Sequence, residues 1–175
     1  MSSIIKVNTY QDANGNALFS SDGSGNVTLT NFPDNTPSFL AKASSAQSIS
    51  ISTATTIAFG TEEYDTDNSF ASNTFTAPIA GKYYIFASVY WNLGNTQSSD
   101  QSNIWIAVNG TEVQRTRHAT NPAGTSSGEA QQISGIFNLS ANDTVTVVGY
   151  VSTGGASIAT LADETRFGAY RIIGA

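Results

Sequence analysis

Apolar residues recur along this chain in short runs with the two-residue period of β-strands, broken by Gly, Pro and Asn roughly every ten residues. Ser48-Ile49-Ser50-Ile51 alternates strictly, and Thr55 to Phe59 and Thr144 to Val151 read as further strands. The densest run is Tyr83 to Trp91. Tyr84, Phe86 and Tyr90 fall on one of its faces, and Tyr83, Ile85, Val89 and Trp91 on the other. A strand apolar on both sides has to be covered on both sides. In a two-sheet sandwich one face fills the core, and the other needs a neighbouring subunit, because a large exposed aromatic patch is a liability. The pattern therefore predicts a homo-oligomer. Its contacts come either from Tyr83, Ile85 and Trp91 or from Tyr84, Phe86 and Tyr90, and alternation alone does not choose between them.

Turn chemistry places the remaining elements. Asn109-Gly110 between Ile104–Val108 and Thr111–Val113 predicts a tight hairpin. Leu139 to Asp143 reads as a turn, and Arg166 to Ile173 as the closing strand. The polar stretches 62–68, 92–102, 116–130 and 152–164 read as loops. Residues 1–31 differ in composition: short strands around Ile4–Tyr10, Ala17–Phe19 and Val27–Leu29 are split by Asn14-Gly15 and Asp22-Gly23-Ser24-Gly25. About 30 residues cannot bury enough apolar surface to fold unaided, so this head is expected to dock on something. Pro33 and Pro37 stiffen the connection behind it. The predicted organisation is an attachment segment over 1–31, a linker over 32–37 and a β-domain over 38–175.

Composition narrows the function. Only 11% of the 175 residues are charged, too few for long polar helices, which favours an all-β chain. The net charge of −6 repels phosphate backbones and anionic lipid, so nucleic acid is not an expected partner. No apolar run approaches the ~20 residues needed to span a bilayer, so membrane insertion is not expected. Without cysteine there is neither disulfide nor thiol chemistry. The opening residues lack the charged-then-apolar pattern of a secretory leader, and the expectation is synthesis in the cytoplasm.

Catalysis finds little to work with. His118 is the only histidine and reads as a solvated loop residue without an acidic neighbour in sequence. Glu62-Glu63 and Asp163-Glu164 are adjacent and point to opposite faces of any strand. Asp65-Thr66-Asp67-Asn68 spaces oxygen ligands as the start of a calcium loop does, but lacks the downstream Gly and bidentate Glu; an Asx turn is the plain alternative. No cofactor and no enzymatic activity are expected.

Four segments in order carry a resemblance. Phe75-Thr76-Ala77-Pro78 with Gly81-Lys82-Tyr83-Tyr84-Ile85-Phe86 resembles the signature of the globular domain of complement C1q, which shares a jelly roll with tumour necrosis factor. Ile106-Ala107-Val108-Asn109-Gly110, Leu139-Ser140-Ala141-Asn142-Asp143 with Thr144–Val147, and Arg166-Phe167-Gly168-Ala169-Tyr170 resemble later segments of that family. Over 38–175 the resemblance implies a two-sheet jelly-roll sandwich that forms a homotrimer through one sheet and binds ligands through apical loops or outer faces. The chain shows no collagen-like stalk, which favours a microbial or viral setting over an animal one.

The head resembles the opening of small bacteriophage tail-fibre and decoration proteins. That likeness implies a virion subunit whose head docks on other virion proteins. The expected attachment residues are Ile4, Ile5, Val7, Tyr10, Leu18, Phe19, Val27 and Leu29. The jelly roll would then face outward, toward a host-surface glycan or protein. Trp105 and His118, with Tyr90 and Trp91, are the aromatic candidates for ligand stacking, with core or interface packing as the plain alternative. A free-standing bacterial binding module of the same fold is the other reading.

Overall fold

The computed structural model describes residues 7–29, 35–92, 101–119, 128–152, 156–158 and 164–172. Sixteen strands and no helix lie within them. The chain divides into two compact units, Met1–Asp34 and Asn35–Ala175.

In the first unit, β1 (Thr9–Gln11), β2 (Ala17–Ser21) and β3 (Val27–Leu29) form an antiparallel meander. Its two turns repeat one device ten residues apart. Asp12 Oδ1 accepts the N–H groups of Asn14 and Asn16, and its Oδ2 accepts the Asn16 side-chain amide. Asp22 does the same for Ser24 and Asn26. Gly15 and Gly25 sit at φ 83° and 94°, a region closed to most side chains. Each carboxyl is held below its usual range by these bonds, foremost the side-chain bond from Asn16 or Asn26. The sequence suggested three short strands in this head, and three form within its described residues.

The second unit contains β4 (Ser38–Lys42), β5 (Gln47–Ile49), β6 (Thr55–Thr56), β7 (Thr61–Asp65), β8 (Phe70–Ala71), β9 (Thr74–Thr76), β10 (Gly81–Asn92), β11 (Gln101–Val108), β12 (Thr111–Ala119), β13 (Gly128–Leu139), β14 (Thr144–Val151), β15 (Ala156–Ile158) and β16 (Arg166–Arg171). One sheet runs β13-β10-β16-β4-β7, with β15 and β5 joined at the end of β10. The other runs β12-β11-β14-β9-β8, with β6 against β14. The fold is an all-β sandwich of two sheets.

Its core is aromatic at one end. Phe39 stacks on Phe70 and Phe75 at 4.8 and 5.1 Å and meets Phe167 edge-on at 5.0 Å, geometries that add to plain area burial. Toward the other end a polar bridge joins the sheets. The Trp91 indole N–H donates to Gln131 Oε1 at 3.0 Å, and the Gln131 amide donates to the Ser102 carbonyl at 3.4 Å. The Asn109-Gly110 hairpin forms between β11 and β12, with both residues at positive φ, 51° and 76°. The Leu139–Asp143 turn forms as well, tied to that hairpin by Asn109 Nδ2 donating to Asp143 Oδ1 at 2.8 Å.

All four of the expected loops carry strand, 92–102 only at its two ends, Asn92 in β10 and Gln101-Ser102 in β11. Residues 61–65 pair with β4, where Lys42 and Glu63 form a 2.9 Å ion pair. Residues 116–119 continue β12, and 128–130 begin β13. Residues 156–158 pair with β5 and β10. These segments are polar because they lie near sheet edges and are held by main-chain pairing, which leaves no hydrophobic alternation to read.

Candidate functional site

Pairing settles which face of β10 is which. Tyr83, Ile85, Val89 and Trp91 are fully buried between the sheets. Tyr83, Ile85 and Trp91 are thus core residues and are removed from the candidate subunit contacts. Tyr83 is further fixed by its hydroxyl, which donates to the Ile79 carbonyl at 2.6 Å; burial, the largest influence, raises its phenol above the usual range.

Tyr84, Phe86, Ser88 and Tyr90 point out of the sandwich. Register extends this outer face across the sheet. Tyr84 lies opposite Tyr170 on β16 and Ile136 on β13, and Phe86 opposite Gly168 and Ser134. Leu40 follows beyond Gly168, and Tyr64 beyond Leu40. The Tyr84 ring contacts those of Phe86 and Tyr170, centroids 6.0 and 5.4 Å apart. Ile136 is 63% exposed and Tyr64 50%. A depression of about 450 Å³ opens beside Tyr84 and Phe86, lined also by Ser88, Gln132 and Ser134. The result is a broad, mainly aromatic surface with no charged side chain in its middle row.

The second sheet has a different outer face. Trp105 and Asn103 project from β11 away from the core, yet they are only 9% and 2% exposed. Arg115 lies over the Trp105 ring, 4.6 Å from its centroid, and is paired with Glu112. Arg117 Nε donates to Asn103 Oδ1 at 3.2 Å. Tyr150, half-buried, is opposite Asn103 on β14. Trp105 and His118 were expected near loops; both lie on paired strands, Trp105 against Arg115 and Val148, His118 opposite Ser102. Composition hid the two arginines, because Arg117 sits in a stretch that reads as loop and Arg115 just before it.

Asp65 is occupied by its own turn. Its Oδ1 accepts from the Ser69 hydroxyl at 3.0 Å and the Asp67 N–H at 3.3 Å, and its Oδ2 from the Phe70 N–H at 2.7 Å. That is the Asx-type alternative to a calcium loop. Among the described residues no three His, Cys, Asp or Glu side chains are grouped to hold a metal.

In the head, Tyr10 and Phe19 stack across β1 and β2 at 5.1 Å, nearly parallel. Val7, Tyr10, Leu18, Phe19 and Val27 are exposed. The backbone of Leu29 pairs with Phe19. Ile4 and Ile5 lie outside the described residues.

No family model matches the sequence, and no curated protein does. Solved structures do match. Murine APRIL is 11% identical with a TM-score of 0.58, over 77% of this chain and 98% of that one. Eiger TNF from S. frugiperda is 12% identical with a TM-score of 0.56, over 79% and 92%. The fold is the jelly roll of these domains. The globular domain of zebrafish complement 1qA agrees, at 11% identity and a TM-score of 0.55, covering 79% of this chain and 98% of its own. At such identities the shared jelly roll is a likeness of fold, and function has to come from this chain's own surfaces.

Proposed function

We propose that this chain is a structural subunit of a bacteriophage particle. In this reading it is a homotrimeric fibre or decoration protein, made in the host cytoplasm and carried on the virion. Its head, residues 1–31, attaches to other virion proteins, and its jelly roll is displayed outward toward a host-surface glycan or protein. It is a binding and structural module without catalysis.

The observation that carries the oligomer is the outer face of the first sheet. Tyr84, Tyr170 and Ile136 form one uncharged row on it, and Phe86 lies in the uncharged row beside it. Aromatic enrichment with depletion of charge is the composition of an interface core, and a monomer seldom leaves so much contiguous apolar surface in water. Three-fold assembly through this sheet is what the resemblance to the C1q and tumour necrosis factor family implies. The head supports the anchoring part, since it exposes Tyr10, Phe19 and Val27 and, among residues 7–29, carries charge only on Asp12 and Asp22. A polar segment that exposes a few apolar side chains and carries only negative charge suits a protein partner better than nucleic acid or anionic lipid headgroups.

Light scattering on the full chain and on a chain starting at Pro37 tests this reading. Trimers in both cases support assembly by the jelly roll and leave the head free to anchor. A trimer that becomes a monomer on truncation assigns assembly to the head. Monomers in both overturn the trimer. The particle role is tested by mixing each form with particles lacking the protein: only the full chain should sediment with them. The compactness of 35–175 as a unit favours one second reading, a free-standing bacterial binding module. That reading is upheld if the head has no effect on any association.

A further inference from the structure

The outer face of the second sheet holds a cation in a fixed pose where the fold gains little from it. Arg117 is exposed, and its Nε is tied to Asn103 Oδ1. Asn103 is itself almost wholly buried, so the acceptor cannot wander. Among the described residues the Arg117 side chain makes no other hydrogen bond and no ion pair. Its two terminal nitrogens therefore form an open fork facing solvent, already oriented. A planar fork of this kind matches a carboxylate with two parallel hydrogen bonds. The register places Asn103 between Arg117 and the half-buried Tyr150, two strands apart, with Trp105 under Arg115 in the row two residues along. The chain carries only seven Lys and Arg against thirteen acidic residues, yet two arginines share this one strand face.

We propose that this face binds a carboxylate-bearing saccharide. Arg117 receives the carboxylate end-on, and the Tyr150 ring offers an apolar surface to the C–H face of the sugar. Arg115 is stacked on Trp105 and its charge is compensated by Glu112, so it walls the site and is not a second open fork. An acidic peptide fits less well. Extended peptides gain affinity from main-chain pairing at a sheet edge, whereas every group here is a side chain on the sheet face. The inference deepens the host-surface part of the proposed function and rests on that part alone, because none of its residues belongs to the aromatic face assigned to assembly.

The test is calorimetric titration of the full chain at low ionic strength with sialyllactose, trigalacturonate, lactose and a pentaglutamate peptide. Either acidic saccharide should bind and lactose should not. Arg117→Ala should weaken that binding about tenfold or more, as expected for loss of a charge-assisted pair. Arg117→Lys should also weaken it, since a lysine keeps the charge without the fork. Lys82→Ala, which removes one positive charge from the other sheet, should leave it unchanged; circular dichroism confirms that each variant is folded. Failure of both acidic saccharides to bind, equal binding of lactose, tighter binding of the peptide, or an equal loss with Lys82→Ala would overturn the proposal. A trimer that binds no acidic saccharide would overturn this inference and leave the assembly reading standing. A monomer that binds one would do the reverse.

Discussion

Phe86 lies over Gly168: a methyl group on that glycine would come within 2.5 Å of the Phe86 ring and 2.9 Å of the Phe39 carbonyl oxygen. The missing side chain on β16 is what lets the ring of a β10 residue settle across the neighbouring strand. The outer aromatic face is thereby kept low and continuous. Gly168→Ala should destabilise the fold by about 1–3 kcal/mol, because the carbonyl cannot swing away as a side chain could. It should also tilt Phe86 off the face. Denaturant unfolding together with light scattering reads both effects, and an unchanged midpoint would refute the close approach.

Phe86→Asp puts a charge in the middle of the same face without touching the core. The full chain should fall from trimer to monomer in light scattering while its far-ultraviolet circular dichroism stays that of a β-protein. A trimer that persists would move the subunit contact elsewhere.

The bridge from Trp91 through Gln131 to Ser102 makes a separate prediction. Gln131→Leu fills the space but leaves a buried indole N–H without an acceptor. The expected cost is about 1–3 kcal/mol, in the range for an unsatisfied buried donor. Pairing Gln131→Leu with Trp91→Phe removes the orphaned group and should recover part of the loss, which a double-mutant cycle by chemical denaturation measures.

At the Asn109 corner the backbone and the side chain are used together. Asn109 holds φ at 51°, donates to Asp143 and accepts from the Thr144 N–H and hydroxyl. Asn109→Ala should cost about 1–2 kcal/mol through the left-handed backbone and the lost bonds. Asn109→Gly should recover the backbone part alone, as read by thermal unfolding.

The head should respond to acid. Asp12 and Asp22 have carboxyls depressed by their Asn partners and turn N–H groups. A depressed group stabilises the folded turn above its unfolded pKa, about 3.9. That contribution fades as pH falls through the lower folded value. The turn amides of Asn14, Asn16, Ser24 and Asn26 should therefore shift in NMR spectra below about pH 4 and stay constant above about pH 6. In Asp12→Asn only the Ser24 and Asn26 signals should still titrate.

Much of this was legible in the residues, for identifiable reasons. Asn109-Gly110 and Leu139–Asp143 are local signals, and turns are decided locally. The strand at 83–91 was evident, but its two apolar faces looked alike; only the pairing of Phe86 with Gly168 and of Tyr84 with Tyr170 distinguishes outside from inside. His118 was read as loop because β12 is an edge strand, held by β11 through its main chain and largely exposed. Gln131 carried no signal at all, since its partner Trp91 lies forty residues away. The burial of Trp105 on an outer face depends on Arg115 folding back across it, and no periodicity reports that.

The head's two turns each close on themselves, with the aspartate, the amides it binds and the left-handed glycine all inside one ten-residue block. Neither turn takes a hydrogen bond from the other, although the strands that flank them pair. Such a segment is modular: inserting or deleting a whole block adds or removes one strand and one turn, and reverses the direction of the strand that follows. The number of strands in the head can thus be reset in fixed increments, one strand and one turn at a time, without altering the turns that remain.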